Sequence, residues 1–116
     1  MNSEEKRKVF VVAKGFHDWT RAKDYGEVIF LSDTPVNRTA ISSMARKFLP
    51  ILKEQSRRED FLVISGLSVM CSIACSIFAG LHNRLNLLLY DAPSDRYILR
   101  AVVFGEEKEE EQENDG

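Results

Sequence analysis

The sequence predicts a single small α/β domain, with a mixed and mostly parallel sheet covered by two main helices. Short apolar runs alternate with two longer helical patterns, in the order β-β-α-β-α-β-β. The run at residues 61–64 is apolar without alternation, as expected for a strand that is covered on both faces. A chain of 116 residues suits one domain. We therefore place the α/β domain at residues 1–105 and an acidic, disordered tail at residues 106–116.

The first two strands are predicted at residues 9–13 and 27–32, where β-branched and apolar residues cluster. Residues 16–26 lie between them and mix aromatic with charged side chains, without clean periodicity. One helical turn is expected there, around residues 20–24. Residues 33–37 (DTPVN) combine capping side chains with a proline, which is typical of a helix start.

The first helix is predicted from apolar residues whose spacing places them on one face. These residues are Ile41, Met44, Ala45, Phe48 and Leu52. Pro50 lies inside this pattern, and a proline in a helix interior removes a hydrogen bond and clashes with the preceding turn. We expect it to kink the helix or to end its regular part near Leu49.

The second half of the domain is predicted as a strand–helix–strand unit followed by a hairpin. The third strand passes through a tight turn at residues 65–68 into a helix at residues 69–81, which is apolar or small all round and hence central. Gly80 or Asn83 can end this helix. The last two strands, residues 85–90 and 96–104, form a hairpin that adds an antiparallel edge to the sheet.

Charge is distributed unevenly along the chain, whose net charge is −2. Residues 106–116 hold seven acids and one lysine, so they contribute −6 and leave +4 on the body. Such a run cannot bury apolar surface, and it serves as a solubility tail or screens a basic face against nucleic acid. The basic residues on and after the first helix are typical of a solvated face and also suit contact with RNA or DNA. They are Arg46, Lys47, Lys53, Arg57 and Arg58.

Cysteine usage and hydropathy predict a cytoplasmic protein with no membrane partner. Cys71 and Cys75 are neighbours on one helix face, poorly placed for a mutual disulfide, and are interpreted as buried free thiols in a reducing compartment. The charged start at residues 1–8 lacks the pattern of a signal peptide. The apolar region at residues 61–81 is broken by serines and glycines, which favours a buried strand and helix over a membrane span. The sequence contains no recognised zinc or cofactor motif, so we expect neither group.

A ligand site is predicted where the parallel strands end, because open α/β sheets bind ligands at that edge. Two loops there lead into helices, and helix N-termini favour phosphate. A glycine in one loop allows close approach of a ligand to the backbone. The predicted ligand-binding residues are Thr34, Asn37, Arg38, Ser65, Gly66, Leu67, Ser68 and Asp91. The same residue types also serve as plain helix caps and turn residues, and that alternative stays open.

Three side chains are candidates for proton transfer. His17 lies beside Asp18 and Trp19, a neighbourhood that suits acid–base work or base stacking but is also typical of a surface loop fixed by its aromatics. His82 follows the second helix, where a cation suits the helix dipole. Asp91 begins a turn, and an aspartate at such a position typically stabilises the turn itself. These candidates form no recognised catalytic motif, so we expect a binding protein rather than an enzyme.

The sequence of residues 61–104 predicts a strand that ends in Ser65-Gly66 and is followed by a hydrophobic helix. A strand that ends in Tyr90-Asp91, a short turn and a final strand follow. This arrangement resembles the core of a small family of CRISPR-associated proteins. Members of that family bind cyclic oligoadenylate and act as ring nucleases or RNA-degrading enzymes. The resemblance implies an α/β fold and a cyclic oligonucleotide ligand for this chain.

The departures from that family concern catalysis more than binding. The family has histidines in and after the helix, of which only His82 has a counterpart here. Its Asp-Pro-Arg turn is Asp91-Ala92-Pro93 in this chain, with Arg96 displaced. The resemblance therefore implies sensing or sequestration of the nucleotide without efficient cleavage. A viral protein directed against antiviral defence and a host protein both fit this pattern.

Three hypotheses follow from the sequence. The first is a module that binds a phosphate-rich nucleotide, most simply a cyclic oligonucleotide, as a homodimer or higher oligomer with the ring across a two-fold axis. The second is a protein-interaction domain with no small-molecule site, which uses Phe16, Trp19 and Tyr25 as a hot spot. The third is a slow metal-independent phosphodiesterase, a ring nuclease.

Overall fold

Five strands, two α-helices and a short 3-10 helix make up the computed structural model, which describes residues 6–15, 17–32, 40–65 and 67–105. The predicted helix start at residues 33–37, the ligand residues Thr34, Asn37, Arg38 and Gly66, and the acidic tail lie outside these described residues. The elements are β1 (Lys8–Val11), the 3-10 helix (Arg21–Tyr25), β2 (Glu27–Phe30), α1 (Ile41–Gln55), β3 (Phe61–Ile64), α2 (Ser68–His82), β4 (Arg84–Asp91) and β5 (Arg96–Val103).

All five strands form one sheet, in the order β2-β1-β3-β4-β5. The first four strands of that order run parallel, and β5 pairs antiparallel with β4 through an unbroken register from Arg84 opposite Val103 to Asp91 opposite Arg96. The predicted α/β class, the order β-β-α-β-α-β-β and the mostly parallel sheet are therefore confirmed. After β2, the chain returns across β1 to build β3 beside it.

Both α-helices pack against one face of the sheet, which we call the helix face. The buried side of α1 consists of Met44, Phe48 and Leu52, three of the five residues that the helical spacing predicts. Ala45 is partly buried, and Ile41, at the first position of the helix, is 54% exposed, so the prediction is wrong there. The buried side of α1 meets the buried residues of α2 and alternate residues of the strands. The resulting core joins Phe10, Val12, Leu31, Met44, Phe48, Leu52, Leu62, Met70, Cys71, Ala74, Phe78 and Leu85. Burying each large side chain in it stabilises the fold by roughly 1.5–3 kcal/mol.

The opposite face of the sheet, which we call the aromatic face, is covered by residues 17–25. Trp19 and Ala22 pack there on the strand residues that point away from the helices. The Trp19 indole N–H donates to the Lys14 carbonyl at 2.8 Å, so burial of the ring leaves its polar atom satisfied. Because both faces are covered, β3 is apolar throughout and β1 is apolar after its first residue, Lys8. Val9, Val11, Phe61 and Val63 are buried on the aromatic face.

Two helix ends differ in how well the sequence predicts them. Helix α1 continues past Leu49 to Gln55, so Pro50 does not end it. The proline is exposed, while Phe48 and Leu52 on either side of it are fully buried and hold the helix to the sheet. Helix α2 ends at Asn83, which adopts φ 57° and donates its backbone N–H to Ala79, as predicted.

The cysteines are free thiols, as predicted. Cys71 is buried and Cys75 is partly buried, and that burial raises the pKa of Cys75 to about 11. Among the described residues, no group of His, Cys, Asp and Glu side chains is arranged to hold a metal ion. None of the helices in that part of the chain has the length and apolar character needed to span a membrane.

Candidate functional site

The candidate site lies where two neighbouring parallel strands send the chain to opposite faces of the sheet. Strands β1 and β3 lie side by side. The chain leaving β1 crosses the aromatic face as residues 17–25, whereas the chain leaving β3 enters α2 on the helix face. Such a point opens a crevice at the carboxyl edge of the sheet, which is where open α/β sheets bind ligands.

A cavity of about 830 Å³, which we call the crevice, occupies this position. Its volume lies within the range of small-molecule sites, roughly 300–1,000 Å³. The lining combines aromatic rings with a few charged and hydroxyl groups. It consists of His17, Asp18, Trp19, Thr20, Arg21, Val63, Ile64, Ser65, Tyr90, Asp95 and Tyr97.

One wall of the crevice is the turn that precedes the 3-10 helix. The Asp18 carboxylate accepts hydrogen bonds from the Thr20 hydroxyl at 2.6 Å and the Thr20 backbone N–H at 3.0 Å. These bonds favour the charged carboxylate and lower the pKa of Asp18. His17 meets Trp19 edge-on, with ring centroids 5.4 Å apart. The wall is thus fixed by local bonds and by a buried indole.

The facing wall is aromatic and comes from the β4–β5 hairpin. Tyr90 and Tyr97 stand opposite each other in the register, and their ring centroids are 5.4 Å apart. Tyr97 is buried and also contacts Tyr25 of the 3-10 helix. Tyr90 is 49% exposed, so much of its ring is open to a ligand.

A chain of polar contacts connects the two walls. The Tyr90 hydroxyl donates to one oxygen of Asp95 at 2.6 Å, and Arg21 donates to the other at 3.1 Å. The Tyr90 hydrogen bond, then Arg21, lower the pKa of Asp95, and the same tyrosine bond raises the pKa of Tyr90. At neutral pH the crevice therefore presents a carboxylate, a guanidinium and a neutral phenol in fixed relative positions.

The floor of the crevice leads to the start of α2. The Ser65 hydroxyl accepts the Leu67 backbone N–H at 3.3 Å and lies 3.6 Å from the Cys71 sulfur. The N-cap residue of α2 is Leu67, which makes no side-chain hydrogen bond to the first turn of the helix, and the first-turn N–H groups lie at this rim. A negatively charged group would be stabilised there.

The charges of the described lining favour some ligand groups over others. Arg21 faces two carboxylates, Asp18 and Asp95. A polyphosphate placed among them would be repelled, whereas a flat aromatic group with hydrogen-bonding edges fits the rings and polar atoms. The start of α2 is electrostatically more favourable for a phosphate than the space between Asp18 and Asp95.

The structure brings only part of the predicted ligand set to the crevice. Ser65 lines it, and Leu67 and Ser68 start α2 at its rim. Asp91 lies opposite Arg96 in the register, on the face opposite to that of Tyr90. Its carboxylate accepts a hydrogen bond from the Ser94 hydroxyl, which suits a role in the turn.

The three candidates for proton transfer are far apart in the fold. His17 lines the crevice. Asp91 points to the other side of β4, and His82 lies in the last turn of α2, at the opposite edge of the sheet. His82 lies 2.7 Å from the Ser56 hydroxyl and packs on Phe78, and burial lowers its pKa. The described residues therefore place these groups in separate surroundings.

Sequence reasoning missed much of the crevice lining, above all Arg21, Tyr97 and Asp95. A usable signal was present, because β1 is also a parallel strand and its following loop must reach the same edge. That loop interleaves aromatic and charged residues, a composition that suits a binding wall. The predicted ligand-binding residues lie instead in the loops after β2, β3 and β4.

Comparison with known proteins gives one family. Residues 3–103 match the sequence model of a family described as phage Pam3 gp32-like protein, and this stretch includes every strand and helix of the structure. Searches of curated proteins and of solved structures found no significant match. The resemblance to CRISPR-associated proteins is not tested by these comparisons and stays a prediction.

Proposed function

The chain belongs to the phage Pam3 gp32-like protein family, and we propose that this viral protein binds a nucleotide ligand in the crevice. The observation that carries the proposal is the aromatic-lined cavity at the point where the chain leaves β1 and β3 for opposite faces. A cyclic oligonucleotide messenger in the cytoplasm of the infected cell is the ligand class that we propose to test first. Sequestering such a messenger would counter antiviral defence.

The base of the ligand would lie against the half-exposed ring of Tyr90. Stacking of a base on an aromatic side chain contributes about 1–3 kcal/mol and tolerates any base. Arg21 and Asp95 supply a donor and an acceptor beside that ring, at the edges of a stacked base. Ser65 adds a hydroxyl at the floor.

The phosphate would lie at the start of α2, beyond the floor of the crevice. Ser68 begins this 15-residue helix, whose N-terminal partial positive charge and first-turn N–H groups suit an anion. This arrangement separates base from phosphate in the manner of a nucleotide. It also keeps the phosphate away from the carboxylates of Asp18 and Asp95.

Binding is tested directly through Trp19, which is the single tryptophan of the chain and lines the crevice. Titration with cyclic oligoadenylates, cyclic dinucleotides and adenosine monophosphate is expected to change its fluorescence, with dissociation constants in the micromolar range or below. Inorganic phosphate alone is expected to bind far more weakly, because it lacks the base. Calorimetry that detects no nucleotide binding at micromolar ligand would overturn the proposal.

Substitution of Tyr90 is expected to weaken nucleotide binding by about tenfold, since it removes a stacking partner of roughly 1–3 kcal/mol. Tyr90→Ala changes a half-exposed ring, so the fold should persist. Leu49→Ala is the matched control, because Leu49 is also exposed but lies on α1, outside the crevice. Equal affinities of the two variants by calorimetry would show that the base does not use this wall.

The other two functional hypotheses gain less support. Trp19 is 9% exposed and Tyr25 packs on Phe61 and Tyr97, so these rings stabilise the fold rather than present a hot spot. Phe16 lies outside the described residues. The phosphodiesterase hypothesis predicted three proton-transfer groups. His17 lines the crevice, whereas Asp91 and His82 lie elsewhere in the fold.

A further inference from the structure

A second cavity lies at the edge of the sheet opposite to the crevice, where the parallel strands begin. Arg7 directly precedes β1, Arg58 lies in the connector before β3, and Arg84 is the first residue of β4. Because β1, β3 and β4 run parallel, their first residues meet at one edge, and these three arginines line a cavity of about 290 Å³. We call this space, lined by Arg7, Arg58 and Arg84, the arginine cavity.

Hydrogen bonds to the fold hold two of the three guanidinium groups in place. Arg84 donates from Nε to the side-chain oxygen of Asn86 at 2.7 Å. Asn86 is itself buried, and its amide nitrogen donates to the carbonyls of Arg58 at 2.8 Å and Asp60 at 2.9 Å. Arg58 donates from Nε to the His82 carbonyl at 3.2 Å. Both groups are therefore positioned before a ligand arrives, which reduces the cost of ordering them on binding.

The third arginine, Arg7, lies against an aromatic ring. Its guanidinium carbon is 5.5 Å from the centroid of the Phe61 ring, which is a cation–π distance. Phe61 is buried on the aromatic face, so its ring gives Arg7 a fixed surface to pack on. This contact engages a ring and not an acceptor atom, so it leaves the N–H donors of the guanidinium for a ligand.

The charge of the arginine cavity is not balanced by its own lining. Three guanidinium groups accompany one lining carboxylate, that of Glu59, so positive charge is in excess. Within the described part of the chain, neither Arg7 nor Arg84 forms an ion pair with a carboxylate. The buried carboxylate of Asp60 accepts two backbone N–H groups and does not line the cavity. Like charges in one small space repel each other, and a bound anion would remove that cost.

We propose that the arginine cavity binds a phosphate group. The planar fork of arginine donates two parallel hydrogen bonds to phosphate oxygens, which makes it the side chain best suited to this group. The volume lies just below the range of sites for drug-sized ligands, roughly 300–1,000 Å³, so the cavity suits one phosphate better than a whole nucleotide. A nucleic-acid backbone and a small phosphate ester present the same oxygens. Arg58 also belongs to the basic residues whose sequence pattern suits contact with RNA or DNA.

The arginine cavity is separate from the crevice. The two share no lining residue and lie at opposite edges of the sheet. Phosphate binding at the arginines therefore needs neither Tyr90 nor Trp19, and nucleotide binding in the crevice needs none of the three arginines. Failure of one proposal would leave the other standing.

Titration of the full chain with inorganic phosphate, followed by phosphorus NMR, tests the site. The unmodified chain is expected to bind phosphate with a dissociation constant in the millimolar range. Arg84→Gln is expected to weaken binding about tenfold, because it removes charge-assisted hydrogen bonds. Arg7→Gln should have a similar effect, and it gives a measurement even if Arg84→Gln disturbs Asn86, since Arg7 is exposed. Circular dichroism verifies that the variants fold.

Two further variants separate a site from general attraction to a basic surface. Lys53→Gln is the matched control, because Lys53 is an exposed cation on α1 outside the cavity, and it should leave phosphate affinity unchanged. Glu59→Gln removes the lining carboxylate and is expected to tighten phosphate binding several-fold. Equal weakening by Lys53→Gln and Arg7→Gln overturns the proposal, and so does the absence of phosphate binding at tens of millimolar.

Competition identifies the source of the phosphate. A short oligothymidylate that displaces inorganic phosphate and binds less tightly to Arg84→Gln would assign the cavity to a nucleic-acid backbone. An oligothymidylate that leaves phosphate bound would assign it to free phosphate or a small ester. Trp19 fluorescence with nucleotides should be the same in Arg84→Gln and in the unmodified chain, because Trp19 lines the crevice and not this cavity.

Discussion

Replacement of Asp60 by alanine is expected to lower the free energy of unfolding by about 2–4 kcal/mol. The Asp60 side chain is fully buried, and its two oxygens accept the backbone N–H groups of Lys8 at 3.0 Å and Arg57 at 2.8 Å. Alanine would leave both donors without this acceptor, and each buried unsatisfied group costs roughly 1–3 kcal/mol. These bonds hold the start of β1 to the segment before β3.

Urea unfolding of three variants separates this role from general effects of charge. Asp60→Asn retains one carbonyl oxygen and is expected to lose less stability than Asp60→Ala, so it gives a measurement even if the alanine variant does not fold. Glu59→Ala removes the neighbouring exposed acid and is expected to stay within about 0.5 kcal/mol of the unmodified chain. Equal unfolding midpoints for Asp60→Ala and Glu59→Ala would show that the carboxylate does not tie the strands together.

Asp60 also illustrates why the sequence predicts the elements better than the contacts between them. Strands and helices were predicted correctly because apolar runs and helical spacing are local signals. Asp60 belongs to a charged connector in the sequence, next to Arg58 and Glu59, and nothing nearby distinguishes it from a solvated acid. Its burial depends on Lys8, 52 residues away.

The same limit applies to the crevice. The carboxyl edge of the sheet could be predicted, because it follows from parallel strands, and Ser65 was correctly placed there. The bond between Arg21 and Asp95 could not be predicted, because it joins exposed residues 74 positions apart, one in the 3-10 helix and the other in the turn after β4. Residues 17–25 lack periodicity since they pack through individual rings and a 3-10 turn, not through a helix face.

Replacement of Gly26 by alanine is expected to destabilise the fold by roughly 3 kcal/mol or more. Gly26 ends the 3-10 helix with φ 154°, a conformation that other residues rarely adopt. A Cβ atom there would lie 2.3 Å from the carbonyl oxygen of Arg7 and 2.7 Å from its carbonyl carbon. These are backbone atoms of the residue that directly precedes β1. The Glu27 N–H donates a hydrogen bond to the same oxygen, so these atoms cannot move aside without losing that bond.

The same chemical change at Gly80 is expected to have the opposite sign. Gly80 lies within α2, and a Cβ atom would find nothing within 4 Å among the described residues. Alanine should stabilise the helix by about 0.5–1 kcal/mol because it reduces the conformational freedom of the unfolded chain. Thermal and urea unfolding of both variants provides the comparison, and a Gly26→Ala protein as stable as Gly80→Ala would contradict the close approach to Arg7.

The glycine variants also connect stability to the proposed site. The close approach at Gly26 fixes the end of the 3-10 helix, and that helix carries Arg21 into the crevice. Gly26→Ala is therefore expected to weaken nucleotide binding even at temperatures where the protein remains folded, since Arg21 and Asp95 would lose their alignment. Gly80→Ala should bind with unchanged affinity. Weakened binding in both variants would indicate that nucleotide affinity depends on the overall stability of the fold and not on the position of the wall that carries Arg21.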